Sequence, residues 1–116
     1  MATLIADQKS PRKITDVAPV YPLDSLQRGD EAAILVELRI APDGAVDSAL
    51  LLRSACPRLN NAALVAARQW RLEPRIINGR GTPYTIIATV DFRLGARKPA
   101  RMAPDACVWR DAKPLT

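Results

Sequence analysis

The sequence contains no histidine, which excludes nucleophile triads built on imidazole and most zinc sites. Aromatic residues make up only 4%, so the core must be aliphatic, with Trp70, Phe92, Tyr21 and Tyr84 as its few large pieces. No apolar run approaches the ~18–20 residues that a helix needs to cross a bilayer. Residues 1–6 lack the charged start and long apolar stretch of a secretory signal; a segment that follows a removed anchor would look the same. Gly79 and Gly81 make no phosphate loop, because no Lys-Ser/Thr follows them. Asp43 and Asp47 flank a turn with no apolar run to raise a carboxyl pKa, so they read as solvated turn residues. The sequence therefore offers no catalytic residue, no cofactor site and no metal site, and it does not read as an enzyme.

What is present is enough for one small domain. At 116 residues with 48% hydrophobic content, the chain can build a real but modest core, and domains of this size are often marginal without a staple. Cys56 and Cys107 are the only cysteines. They read either as unpaired buried thiols or as one disulfide, and the disulfide is favoured. In the chain-entropy model such a bond would stabilise the fold by up to about 4 kcal/mol. The net charge of +5 invites a nucleic-acid reading, but its distribution argues against one. Residues 1–20 and 21–94 each contribute +1, whereas residues 95–116 contribute +3. The excess sits in a Pro-punctuated tail, and no basic groove with interleaved aromatics is apparent, so no nucleic-acid partner is expected.

Along the chain, residues 1–17 carry mixed charge without periodicity and read as a linker or arm. Residues 18–94 read as the folded domain, and residues 95–116 as a basic tail. Pro22 and Gly29 bracket a short helix over 23–28. "AAILVELRI" alternates with period 2, "APDG" is turn chemistry, and residues 46–53 supply a second strand, so 32–53 is a β-hairpin. A helix begins after Asn60 as N-cap. Leu59, Ala63, Ala66 and Trp70 fall on one stripe, with small alanines that lie close to a sheet and Trp70 as the anchor that fills what they leave. Pro74 keeps the chain extended, "NGRG" is turn-prone, and "YTIIATVDFRL" is the most regular strand. The order predicts an α+β fold: a small antiparallel sheet, made of a hairpin and a final long strand, with two helices packed on one face.

Together, "PVYP", the hairpin, "LNNAALVAARQWRLEP" and "NGRGTPYTIIATVDFRL" resemble the TonB carboxyl-terminal domain family from about Ala18 to Leu94. The resemblance implies a periplasmic energy-transducing domain. Such domains couple the inner-membrane proton-motive complex, through an N-terminal anchor absent from this chain, to outer-membrane transporters of siderophores and vitamins. It also implies that a transporter peptide adds as a strand beside the last strand. The receiving edge would be Thr85, Ile86, Ile87, Ala88, Thr89, Val90, Asp91, Phe92 and Arg93, with Val20, Tyr21 and Pro22 near the contact. Thr85, Thr89, Asp91 and Arg93 would keep such an edge soluble. An exposed last strand could equally pair with its own copy, which leaves a homodimer open.

Three positions depart from the family pattern: Val20 stands for a usual Gln, Ala32 for Gly and Asn60 for Asp. The family's sheet order makes the first strand central, so Arg53 and Leu94 should end about 10 Å apart, two strand spacings. The tail can span that distance, which makes a Cys56–Cys107 bond geometrically reasonable. Trp109 would then be drawn onto an apolar patch of Leu35, Leu51 and Ile87 on the face away from the helices. A tail paired with the last strand would instead block peptide uptake. The alternative reading is a disulfide-stapled periplasmic or secreted interaction module of the same fold, with the cell wall or a signalling protein as partner. A basic RNA-binding α+β domain ranks third.

Overall fold

A computed structural model of the chain describes residues 11–109; the remainder of the expected arm and the end of the basic tail, with Arg110 and Lys113, lie outside the described residues. Seven strands and two helices follow in the order β1 (Lys13–Thr15), α1 (Leu23–Arg28), β2 (Ala32–Ile40), β3 (Val46–Ser54), α2 (Asn60–Arg68), β4 (Arg71–Leu72), β5 (Arg75–Ile77), β6 (Arg80–Thr82) and β7 (Tyr84–Phe92). The main sheet is antiparallel with order β3-β2-β7, so the first hairpin strand is central. That position explains its burial on both faces. Ile34, Val36, Leu38 and Ile40 point to the helix side and are fully buried, and outward Ala33 and Leu35 are nearly so. Each of the large side chains contributes roughly 1.5–3 kcal/mol by leaving water.

The helix stripe packs as its spacing dictates. Leu59, Ala63, Ala66, Ala67 and Trp70 are all buried, and α2 lies chiefly over β3, with β2 beside it. Two details differ from the sequence reading. Asn60 does not cap: it is itself helical (φ −59°, ψ −48°), and its Oδ1 has no hydrogen-bond partner among the described residues. Pro57 presets the backbone of a preceding 3₁₀ turn, Pro57–Leu59, so helical geometry starts three residues early. The helix also ends at Arg68, so Trp70 follows it on the bend into β4.

The segment read as a linker contributes structure as well. Lys13 and Thr15 pair with Leu72 and Arg71, so β1 and β4 form a second, two-stranded sheet. Three residues are too few to show period 2, which is why the sequence reading missed it. The "NGRG" stretch closes a third sheet, β5 with β6. Between β2 and β3 the APDG turn closes with Ala41 and Gly44 bonds of 2.8 Å, and Asp43 Oδ1 accepts the Ala45 amide at 3.0 Å. Gly44 has φ 92°, and a Cβ there would overlap the Leu72 carbonyl oxygen. No other residue meets both conditions.

The tail is a packed part of the domain as far as residue 109. Cys56 and Cys107 form a disulfide across 51 residues of sequence, which in the chain-entropy model stabilises the fold by about 4 kcal/mol. Around it, the Cys107 amide donates to Asp30 Oδ1 at 2.9 Å, the Glu31 amide donates to the Cys107 carbonyl at 2.9 Å, and Arg28 pairs with Asp105. Arg58 donates to both oxygens of the fully buried Asp30 carboxylate, at 2.8 and 2.9 Å. These bonds, the Arg58 guanidinium foremost, hold the Asp30 carboxyl down at about 2 from a usual 3.8, against the opposing effect of burial.

The Trp109 ring stacks under the Arg93 guanidinium at 4.0 Å. Of the patch expected beneath it, Leu35 is buried, whereas Leu51 and Ile87 remain 39% and 54% exposed, so Trp109 does not cover the whole patch. The disulfide fixes the tail at the start of β2, whereas Ile87 stands opposite Glu37, roughly 20 Å further along the strand. A bulge also changes the patch: Arg53 opposes Leu35 but Leu51 opposes Val36. Leu51 is thereby turned to the helix side, and Leu50, opposite Glu37, takes its place on the outer face.

Two outcomes are expected. Gly44→Ala should lower unfolding free energy by on the order of 2–4 kcal/mol, measured by urea denaturation; an unchanged midpoint would contradict the packing of the turn on Leu72. Because Asp30 titrates lower in the folded state, its contribution is present above the unfolded pKa near 3.8 and disappears as pH falls toward 2. It amounts to on the order of 2 kcal/mol, so Asp30→Asn should flatten the melting-temperature profile between about pH 4 and 2.

Candidate strand-accepting edge

Strand β7 has β2 on one side, and among the described residues no strand pairs with its other side. An edge of this kind presents backbone N–H and C=O groups that are free to form a further ladder. Its two faces follow from the register. Tyr84, Ile86, Ala88, Val90 and Phe92 look to the helix side, and Thr85, Ile87, Thr89, Asp91 and Arg93 look outward.

Because α2 covers β3 and β2, it leaves the helix side of β7 partly open. Ile86 and Ala88 are only half-buried, and a groove of about 540 Å³ runs beside residues 85–89. Its far wall is built by Pro11, Lys13, Trp70 and Leu72, and Glu37 lines it from β2. Trp70 is buried and held in orientation: Nε1 donates to the Val17 carbonyl at 3.0 Å, and Lys13 Nζ sits 3.6 Å from the ring centroid. The cation lies against the electron-rich face of the indole. The groove is mostly apolar, with one cation and one carboxylate in its lining.

Both ends of β7 are clamped. At the start, the Tyr84 hydroxyl donates to the Glu73 carbonyl at 2.6 Å, Arg75 lies 4.7 Å from its ring, and burial raises its pKa. At the end, the Leu94 amide donates to Glu31 Oε2 at 2.8 Å. Tyr21 meets Phe92 edge-on at 5.4 Å, and its hydroxyl donates to the Asp30 carbonyl. Burial, with the charges of Glu31 and Asp30 adding to it, pushes the Tyr21 phenol up to about 12, so it stays a neutral donor across the physiological range.

The residues singled out from the sequence fall into separate places. Thr85, Ile86, Ile87, Ala88 and Thr89 line the groove. Val90 and Phe92 belong to the core, Asp91 is exposed, and Arg93 is engaged with Trp109. Tyr21 is a packing element under Phe92. Val20, 79% exposed, and Pro22 line a different hollow of about 440 Å³ beside α2, with Asn61, Val65 and Gln69. Pro11, Lys13 and Leu72, which form the far wall, carried no signal beyond the β-branched Ile14 and Thr15. Asp30, Cys56 and Cys107 place possible metal-ligand atoms within 4.8 Å of one another, but the sulfurs are bonded to each other and the carboxylate is occupied by Arg58.

No helix among the described residues is long and apolar enough to cross a membrane. Residues 17–94 match the family model described as Gram-negative bacterial TonB protein C-terminal. Protein TonB of Vibrio cholerae serotype O1 is 30% identical over 79 residues, which cover 67% of this chain and 32% of that protein. The chain thus spans about a third of the length of that curated relative. The solution NMR structure of the Pseudomonas aeruginosa TonB CTD superimposes with a TM-score of 0.59 at 26% identity, covering 76% of this chain and 90% of that one. The α+β fold and its three-stranded sheet are those of a TonB carboxyl-terminal domain, and the chain belongs to that family.

Proposed function

We propose that this domain works as the strand-accepting end of a TonB-like energy transducer in the periplasm, without catalysis of its own. A short extended segment of an outer-membrane transporter adds to the free edge of β7. Force originating in the inner-membrane proton-motive complex then passes to the transporter through that ladder. The observation that carries this reading is the coincidence of an unpaired strand edge with an apolar groove beside residues 85–89. In β-addition the main-chain bonds supply affinity, and alternate side chains entering pockets supply specificity. Here one set of alternate side chains would enter the space between Ile86, Ala88 and Trp70, and the other set would face water beside Thr85, Ile87 and Thr89. The clamps at Tyr84 and Leu94 favour a β7 that is already in the accepting conformation, which lowers the ordering cost of binding. Membership of the TonB family supports the same assignment.

An amide-resolved NMR titration of the oxidised protein with extended peptides from the plug ends of outer-membrane transporters tests it. Shifts should concentrate on residues 85–89 and on Lys13, with Val20 little affected. Ala88→Trp, which fills the groove, should weaken binding at least about tenfold while leaving the melting temperature near wild type. Shifts centred on Val20, Val65 and Gln69 with β7 silent would overturn the assignment.

A further inference from the structure

The β5–β6 hairpin touches the start of β7 through Arg75 over the Tyr84 ring but does not line the groove, and its chemistry is unlike the rest of the surface. Ile76 and Ile77 are 61% and 48% exposed. Being adjacent in a strand, they project to opposite faces of the ribbon. Arg75 and Arg80 flank them, and neither makes an ion pair among the described residues; Arg75 only lies over the Tyr84 ring. No acidic residue occurs between Glu73 and Asp91, and the carboxylates of Glu73 and of Asp43 in the β2–β3 turn pair with Arg12 and Arg71 instead.

The hairpin is firm at its base and free at its tip. Asn78 and Gly79 have φ 52° and 75°, a tight two-residue turn that Asn-Gly adopts readily. A Cβ at Gly79 would meet nothing within 4 Å, whereas one at Gly81 would lie 2.6 Å from the Pro42 carbonyl oxygen. The ribbon therefore rests on the β2–β3 turn and projects its Ile-Ile-Asn-Gly-Arg end into open space. We propose that this end is a docking wedge for an anionic phospholipid surface: Ile76 and Ile77 enter the headgroup–acyl boundary while Arg75 and Arg80 meet lipid phosphates.

Two features favour a lipid surface over a protein pocket. Apolar side chains on both faces of one ribbon need a medium that closes around both, which a fluid bilayer does and a one-sided protein surface does not. Two arginines without an ion pair among the described residues match the negative surface potential of an anionic leaflet. With only two isoleucines and two arginines the contact is weak and reversible, the regime in which a second attachment is needed for stable residence. It would orient the domain rather than hold it.

The test is co-sedimentation of the full chain with vesicles of phosphatidylglycerol mixed with phosphatidylcholine, and with vesicles of phosphatidylcholine alone. The wild-type protein should partition to the anionic vesicles, less so as salt is raised, with NMR line broadening confined to residues 75–82. Arg80→Ala should reduce partitioning about fivefold, and the double change Ile76→Ser with Ile77→Ser more than tenfold. Both act on exposed positions, and melting temperatures check that the fold is intact. Equal binding to the two vesicle types, binding unaltered in both variants, broadening centred elsewhere, or no binding to either vesicle would each overturn the proposal. The last outcome would leave an acidic protein surface as the hairpin's partner.

Discussion

The buried carboxylate of Asp30 is the point on which the arrangement of this small domain depends. A charge removed from water is tolerated only if its oxygens are met by donors of fixed geometry, and here these come from two distant parts of the chain. Arg58, ahead of α2, supplies a two-pronged contact, and Cys107 in the tail supplies its amide. The neighbouring backbone extends the junction: the Asp30 carbonyl accepts from Tyr21, the Glu31 amide donates to Cys107, and the Glu31 carboxylate accepts from Leu94. The start of β2, the end of β7, the entry to α2 and the tail are therefore mutually specified. The Cys56–Cys107 bond lies within this same cluster, so the covalent staple and the buried ion pair restrain one locus. With few aromatics available, the domain fixes its geometry by polar satisfaction and a cross-link at one end, and by the aliphatic row of β2 along its length.

From that fixed end, the placement of α2 decides where the open edge falls. Alanines at 63, 66 and 67 let the helix lie close to the sheet, and close packing centres it over β3 and β2. A short helix cannot also reach β7. Trp70 supplies the missing breadth from the bend beyond the helix, tied by its indole N–H to Val17 and capped by Lys13. It stops short of closing the space, and the result is a groove with a rigid floor alongside an unpaired strand. The same tryptophan thus completes the core and forms the wall of the candidate site.

Most of the fold was legible because it is written in repeated patterns. Period 2 in residues 32–40 and 84–92, the APDG turn and the Leu59–Ala63–Ala66–Trp70 stripe each involve several residues that agree, and each appears where it was expected. Features carried by one or two residues were not legible. Asn60 has the right chemistry for a cap, but Pro57 starts the helical backbone before it. The bulge at Leu52 moves Leu51 off the outer face, and no composition rule marks it. Strand β1 exists because Leu72 and Arg71 offer it a partner, a tertiary cause invisible in "KIT". The candidate site was half legible for the same reason: the strand expected to receive a peptide lies in the most regular segment, whereas the opposite wall of the groove comes from Pro11, Lys13 and Leu72, which only the folded chain brings together. Tyr21, expected near a partner contact from its place in the "PVYP" segment, also braces Phe92, a packing role that the segment alone does not reveal.

The parts of the molecule that lie outside the family match, residues 17–94, act on opposite ends of the matched sheet. Ahead of it, Lys13 and Pro11 narrow the groove and shield the indole of Trp70, so on the proposed function they would shape the approach of an extended segment to residues 85–89. Behind it, the tail through Cys107 and Trp109 secures residues 93 and 94, the far end of the same strand. An edge that carries load along its ladder, as the proposed function requires, would benefit from both. A wall would set which segment enters, and an anchored strand end would resist peeling, because a pull on β7 would be passed to Glu31, Asp30 and the disulfide rather than to the β2–β7 hydrogen bonds alone. On the proposed function, both segments would bear on selectivity and mechanical hold at β7, the edge strand of the sheet that α2 leaves open.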